Sequence, residues 1–130
     1  MPLPETTAFR SITELGAALR AGEFSSLELT QFCLDRLKRI GPRFNAVVTV
    51  TRERALQEAA RADDDLKAGR DRGPLHGIPY GAKDLLAVPG YPTTYGAEPF
   101  RTQELEGEAT VITRLRDAGA VLVAKLAMVE

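Results

Sequence analysis

The sequence predicts an α/β fold in which N-terminal helices precede a parallel βαβ unit. Three observations lead there. Two Ser-x-x-Glu tetrads, Ser11–Glu14 and Ser25–Glu28, each open an amphipathic run. Late in the chain, Ile78–Val88 carries a short apolar stretch that could form a buried strand, and Ala120–Ala124 reads as a fully buried one. Between them, Glu108 to Asp117 returns to helical period with Val111, Ile112 and Leu115. A strand, a crossover helix and a second strand at this spacing form a parallel pair, because a crossover returns the chain to the same end of the sheet.

Taken in order, Ser11 and Glu14 satisfy free N–H groups at the start of a first helix, with Ile12, Leu15 and Leu19 on its apolar side and Gly22 closing it. Ser25 and Glu28 repeat the device. Leu29, Phe32, Cys33, Leu37 and Ile40 then make one stripe, which Gly41-Pro42 stops. Ala46–Val50 reads as a short strand from its β-branched run. A third helix runs from about Thr51 to Ala68, with Ala55, Leu56, Ala59, Ala60 and Leu66 on one face and an Asp63–Lys67 pair at i,i+4 spacing on the other. From Gly73 to Phe100 the chain is dense in Gly, Pro and Thr, a turn-rich segment. Two or three strands make a small parallel sheet, since such sheets are buried on both faces and are usually wider. The 130 residues are therefore expected to be the N-terminal portion of a single, longer domain.

Composition narrows the function. The chain is 44% hydrophobic and 27% charged, ordinary for a globular protein. A formal net charge of −1 gives no electrostatic reason to expect nucleic acid or an anionic membrane as partner. The first ten residues lack the apolar core of a secretory signal, and the lone Cys33 precludes an internal disulfide, so a cytoplasmic location is expected. One His and one Cys supply no recognisable metal-ligand set, and no phosphate-loop pattern occurs; no cofactor or metal is expected.

Nucleophiles are scarce. Ser11, Ser25 and Ser26 stand where helices begin, and capping accounts for all three. Cys33 on an apolar stripe reads as an inert thiol, and His76, in a Gly/Pro turn, as a loop residue with a backbone hydrogen bond. Lys83 differs. It follows Ile78-Pro-Tyr-Gly-Ala82 and precedes Leu85-Leu86, and a lysine desolvated among such neighbours would favour its neutral form and act as a proton acceptor.

The segment Gly73-Pro-Leu-His-Gly-Ile-Pro-Tyr-Gly-Ala-Lys-Asp84 resembles the G-P-L-x-G-[IV]-P-x-x-x-K-D stretch of the amidase-signature family. Pro92-Thr-Thr-Tyr-Gly96 is similar to the loop that follows it there, and Ala118–Met128 to the next helix–strand step, so the likeness spans nearly the whole chain. The resemblance implies an incomplete portion of that family's α/β/α fold and acyl transfer on a carboxylic amide. It also implies a Ser-cisSer-Lys triad of which Lys83 is the lysine, both serines belonging to a segment beyond residue 130. Asp84 is expected to serve a structural hydrogen bond. A small-molecule amide is the implied substrate. The glutaminase subunit of a tRNA-dependent amidotransferase is a close relative in this resemblance, although it more often reads Lys-Asp-Asn where this chain reads Lys83-Asp84-Leu85. A non-catalytic remnant or interaction module is the alternative from another class. The 130 residues alone are expected to be inactive, because an acyl-transfer nucleophile is missing.

Overall fold

A computed structural model describes residues 2–128. The chain forms α1 (Ile12–Ala21), α2 (Ser26–Ile40), β1 (Val47–Val50), α3 (Arg52–Lys67), β2 (Pro79–Lys83), α4 (Thr110–Asp117) and β3 (Val121–Leu126), with short 3-10 turns at Glu5–Phe9, Gly41–Phe44 and Glu98–Phe100.

Both capping boxes form. The Ser11 hydroxyl accepts from the Glu14 N–H at 3.1 Å and the Glu14 carboxylate from the Ser11 N–H at 3.3 Å, while Gly22, at φ 72°, closes α1. Ser25 and Glu28 repeat the exchange at 3.0 and 2.7 Å. Ser26 departs from its expected role as a cap. It is the first helical residue, fully buried, and its hydroxyl donates to the Gly77 carbonyl at 2.8 Å. The free Ser26 and Leu27 N–H groups turn instead to the Asp63 carboxylate of α3, at 2.7 and 3.0 Å. Asp63 thus caps a neighbouring helix, where a carboxylate also meets the positive end of the helix dipole. Among the described residues it makes no ion pair with Lys67, contrary to the i,i+4 expectation. On α3 the buried face is Ala55, Ala59 and Ala62, and Ala60 lies outside it.

The sheet has the order β1-β3-β2. β2 and β3 are parallel, from Pro79 opposite Val121 to Lys83 opposite Leu126, with α4 as the crossover, as the βαβ pattern requires. β1, for which the sequence set no direction, joins β3 antiparallel, Val47 opposite Leu126 and Val50 opposite Ala124, so the sheet is mixed. β-propensity marks a strand but not its direction. The direction is set by Thr51, fully buried at the end of β1, whose N–H donates to the Val123 carbonyl at 3.0 Å and whose hydroxyl donates to the Leu122 carbonyl at 2.8 Å.

β3 is the middle strand and is buried from Val121 to Lys125. On one face Val121, Val123 and Ala124 pack against Leu34 of α2 and Ala55 and Ala59 of α3. On the other, Leu122 and Ala82 meet Ile112 of α4 and Val88. A third cluster, Ala18, Leu19, Phe24, Leu29 and Ile78, joins α1 and α2 to the start of β2. At that same end the Gly77 N–H donates to the Gly119 carbonyl at 2.8 Å. Buried His76 lies alongside, its Nε2 2.8 Å from the Ala62 carbonyl and its Nδ1 accepting from the Arg72 N–H at 3.2 Å. These backbone partners fit the loop role expected of it.

Two outcomes follow from this packing. Gly119 has φ +85°, and a Cβ there would stand 2.8 Å from His76 Nδ1 and 3.2 Å from its Cα, whereas Gly69, φ +80°, has open space around it. Gly119→Ala should lower the free energy of unfolding by roughly 2–4 kcal/mol and Gly69→Ala by roughly 1 kcal/mol, strain plus collision against strain alone. Urea titration measures both, and equal losses would refute the contact. Acid should also weaken the fold. The Arg20 guanidinium holds the Asp71 carboxyl well below the usual carboxylate range. Burial alone would raise Glu108, but the Thr113 hydroxyl and the Arg54 guanidinium outweigh it and hold that carboxyl low. A carboxyl depressed on folding lends stability that is complete above its unfolded value near about 4 and is lost as pH falls through the folded value. The unfolding midpoint should therefore fall below about pH 4. Salt should weaken the Arg20–Asp71 share, since both side chains are 40% exposed. A midpoint flat from pH 5 to about pH 2 would contradict this.

Candidate active site

Lys83 is the last residue of β2, at the carboxyl end of the parallel pair, opposite Leu126. This is the end of an open α/β sheet at which ligands characteristically bind. Its backbone is held from three sides. The Lys83 carbonyl accepts from the Leu86 N–H at 3.1 Å, the Asp84 N–H donates to the Leu126 carbonyl at 2.9 Å, and the Asp84 carbonyl accepts from the Tyr95 N–H at 3.0 Å. The Lys83 side chain is exposed and makes no hydrogen bond or ion pair among the described residues.

That exposure differs from the desolvated setting expected from the neighbouring residues. Side chains alternate along a strand, so Ala82 and Asp84 point into the fold while Lys83 points out. Gly81 has a separate reason to be small: a Cβ there would stand 2.6 Å from Leu126 Cδ1. Leu85 is itself exposed.

Asp84 takes the structural role expected of it, with a partner that the sequence did not single out. Both Asp84 and Lys125 are fully buried, and Lys125 Nζ lies 3.0 Å from Asp84 Oδ1. Lys125 also donates to the Thr93 hydroxyl at 2.6 Å and to the Pro92 carbonyl at 3.1 Å. Asp84 Oδ2 accepts from the Thr94 N–H at 3.2 Å and from the Thr94 hydroxyl. The pair therefore joins the end of β2, the end of β3 and the Pro92–Gly96 loop. That loop carries Tyr95 at φ 54°, a left-handed conformation uncommon for a bulky side chain, with its ring edge-on to Phe100 at 5.7 Å. The available signal was a lysine inside the otherwise apolar run Ala120–Met128.

The remaining candidates lie elsewhere. Ser11 and Ser25 cap helices, and Ser26 is tied to Gly77, ahead of the opposite end of β2. Burial pushes the Cys33 thiol up to about 11, with the Arg36 guanidinium offsetting part of the rise, so it stays protonated and unreactive at neutral pH. A groove of about 1010 Å³ runs between α2 and β1, lined by Leu34, Leu37, Pro42 and Val48 among others, and excludes Lys83. Among the described residues no group of three His, Cys, Asp or Glu could hold a metal ion, and no helix is long and apolar enough to cross a membrane. Of the expected site residues, Lys83 stands at the strand ends, and acyl transfer there would need a nucleophile brought to it.

Comparison with known proteins places these features in a family. The family model described as Amidase matches residues 28–130. The chain is 44% identical over 124 residues to a glutamyl-tRNA(Gln) amidotransferase subunit of Halorhodospira halophila, covering 93% of this chain and 25% of that protein. It is 37% identical over 115 residues to an acylamidase of Rhodococcus erythropolis, covering 88% and 24%. Among solved structures, the peptide amidase of Stenotrophomonas maltophilia superimposes with a TM-score of 0.85 at 40% identity, covering 95% of this chain and 26% of that one. The chain spans about a quarter of the length of these relatives. It belongs to the amidase family, the amidase-signature enzymes that its Gly73–Asp84 segment resembles.

Proposed function

We propose that residues 1–130 form the N-terminal quarter of an amidase that hydrolyses a carboxylic amide by acyl transfer, with Lys83 as its catalytic base. The observation that carries this reading is the position of Lys83, free of side-chain partners among the described residues, at the carboxyl end of β2 and within the Gly73–Asp84 motif. In the reaction a serine oxygen attacks the amide carbon and its proton passes through a second, cis-peptide serine towards the lysine. The tetrahedral intermediate then collapses, ammonia or an amine leaves with that proton, and water releases the acid from the acyl-serine. Both serines would come from chain beyond this segment. A lysine serving this relay must take up the serine proton and return it to the leaving group in each cycle.

A second reading, the glutaminase subunit of a tRNA-dependent amidotransferase, is favoured by the 44% identity to the Halorhodospira halophila protein. It is disfavoured by Leu85 in place of the asparagine that more often follows Lys-Asp there. Turnover of glutamine against simple primary amides separates the two.

The test uses the full-length protein of which residues 1–130 form the N-terminal quarter. Lys83→Ala in that protein should lower kcat on a primary amide by about 10³-fold or more, since the proton acceptor is lost, while circular dichroism stays unchanged. A loss under about threefold would remove the lysine from the mechanism. The 130 residues alone should give no measurable hydrolysis, and robust turnover by them would overturn the division of the triad between segments.

A further inference from the structure

We propose that Asp84 and Lys125 are positioning residues for Lys83, holding the end of β2 so that the Cα–Cβ bond of Lys83 leaves the strand outward from a fixed point. The inference rests on the role given to Lys83 above.

Stability does not explain the pair. Both residues are fully buried, and what two charges withdrawn from water recover in mutual attraction often does not exceed what they lose in hydration. An apolar pair of similar size would hold the two strands at least as well. What the ions supply is direction. Lys125 Nζ donates to the Thr93 hydroxyl and the Pro92 carbonyl and lies 3.0 Å from Asp84 Oδ1 as an ion pair without hydrogen-bond geometry, while Asp84 Oδ2 accepts from the Thr94 N–H and hydroxyl. Apolar packing tolerates sliding, but this set specifies where the carboxylate sits.

The consequence falls on the next residue. Asp84 is bonded through its N–H to Leu126 and through its carbonyl to Tyr95. With the carboxylate anchored inward as well, the β2 backbone cannot rotate about its axis at this point. Because adjacent strand residues face opposite ways, anchoring Asp84 inward sets Lys83 outward. Lys83 has no side-chain partner of its own among the described residues. The backbone beneath it sets the point from which the side chain starts and the side of the strand on which it lies. A proton acceptor gains rate from being placed before the reaction begins, and a displacement of about 1 Å can cost about 10²-fold.

The test uses the same full-length protein. Removing one charge alone would strand the other in the interior, so the informative variant removes both: Asp84→Asn with Lys125→Met, which keeps size and discards charge. Circular dichroism and thermal unfolding report folding, and steady-state kinetics on a primary amide report kcat and KM separately. A folded double variant should lose kcat by about 10–100-fold with KM within about threefold of the parent, because substrate binding is untouched and only the placement of the base is degraded. A folded double variant with parental kcat, or one altered only in KM, would overturn the proposal. Should the double variant fail to fold, Thr94→Val decides. It removes one hydroxyl from Asp84 and should lower kcat by about 3–10-fold at constant KM, and an unchanged kcat would overturn the proposal. Lys83→Ala run beside these separates two failures. If it abolishes turnover while the double variant does not, only the positioning role falls; if it leaves turnover intact, the catalytic reading falls and the positioning role with it.

Discussion

The contact on which this architecture turns is the buried ion pair between Lys125, in the middle strand, and Asp84, one residue past the end of β2. An ammonium sealed inside a sheet without a partner would cost several kcal/mol, so β3 can include Lys125 only where a carboxylate meets it. That requirement fixes the register of β2 against β3 and draws in Thr93 and Thr94, and with them the loop carrying Tyr95. Three segments distant in sequence are thus held at one point, next to the residue with the best claim to chemistry.

The other end of the parallel pair is fixed by different means. There the ties are mostly to the backbone: Gly77 to Gly119, Ser26 to Gly77, and His76 to Ala62 and Arg72. The absence of side chains at Gly77 and Gly119 allows this close approach, since a Cβ on either would press on Ser26 or His76. On the flank, Glu58 accepts the Leu122 N–H at 3.0 Å while pairing with Arg54, which reaches Glu108 at 2.8 Å and so joins α3 to the segment before α4. A sheet strand anchored at both ends is a rigid platform, and rigid elements present catalytic groups more accurately than loops do.

Much of the fold was legible in the sequence because its signals are local. A capping box is contained in four residues, so Ser11–Glu14 and Ser25–Glu28 placed two helix starts correctly. The strand–helix–strand pattern after Gly73 gave the parallel pair for the same reason. Features that depend on distant partners were not legible. The direction of β1 is decided by Thr51 meeting β3, and the carboxylate of Asp63 by the free end of α2. The strand assigned to Ala120–Ala124 continues to Leu126, because the lysine that looks like a terminus is neutralised from Asp84. At the candidate site the position of Lys83 was readable from its motif. Its surroundings were not, since residues adjacent in a strand face opposite ways, and the apolar neighbours in sequence are not its neighbours in space.

The contrast between Lys125, buried and paired, and Lys83, standing open, can be observed directly in the 130-residue chain. Side-chain 15N–1H NMR detects a lysine ammonium only when its protons exchange slowly with water, as burial and hydrogen bonding require. A resolved Lys125 ammonium signal is expected near neutral pH, coupled by nuclear Overhauser contacts to Thr93, and none from Lys83 under the same conditions. A Lys125 ammonium exchanging as fast as that of Lys83, with no contact to the Pro92–Gly96 loop, would contradict the buried pair and the architecture built on it.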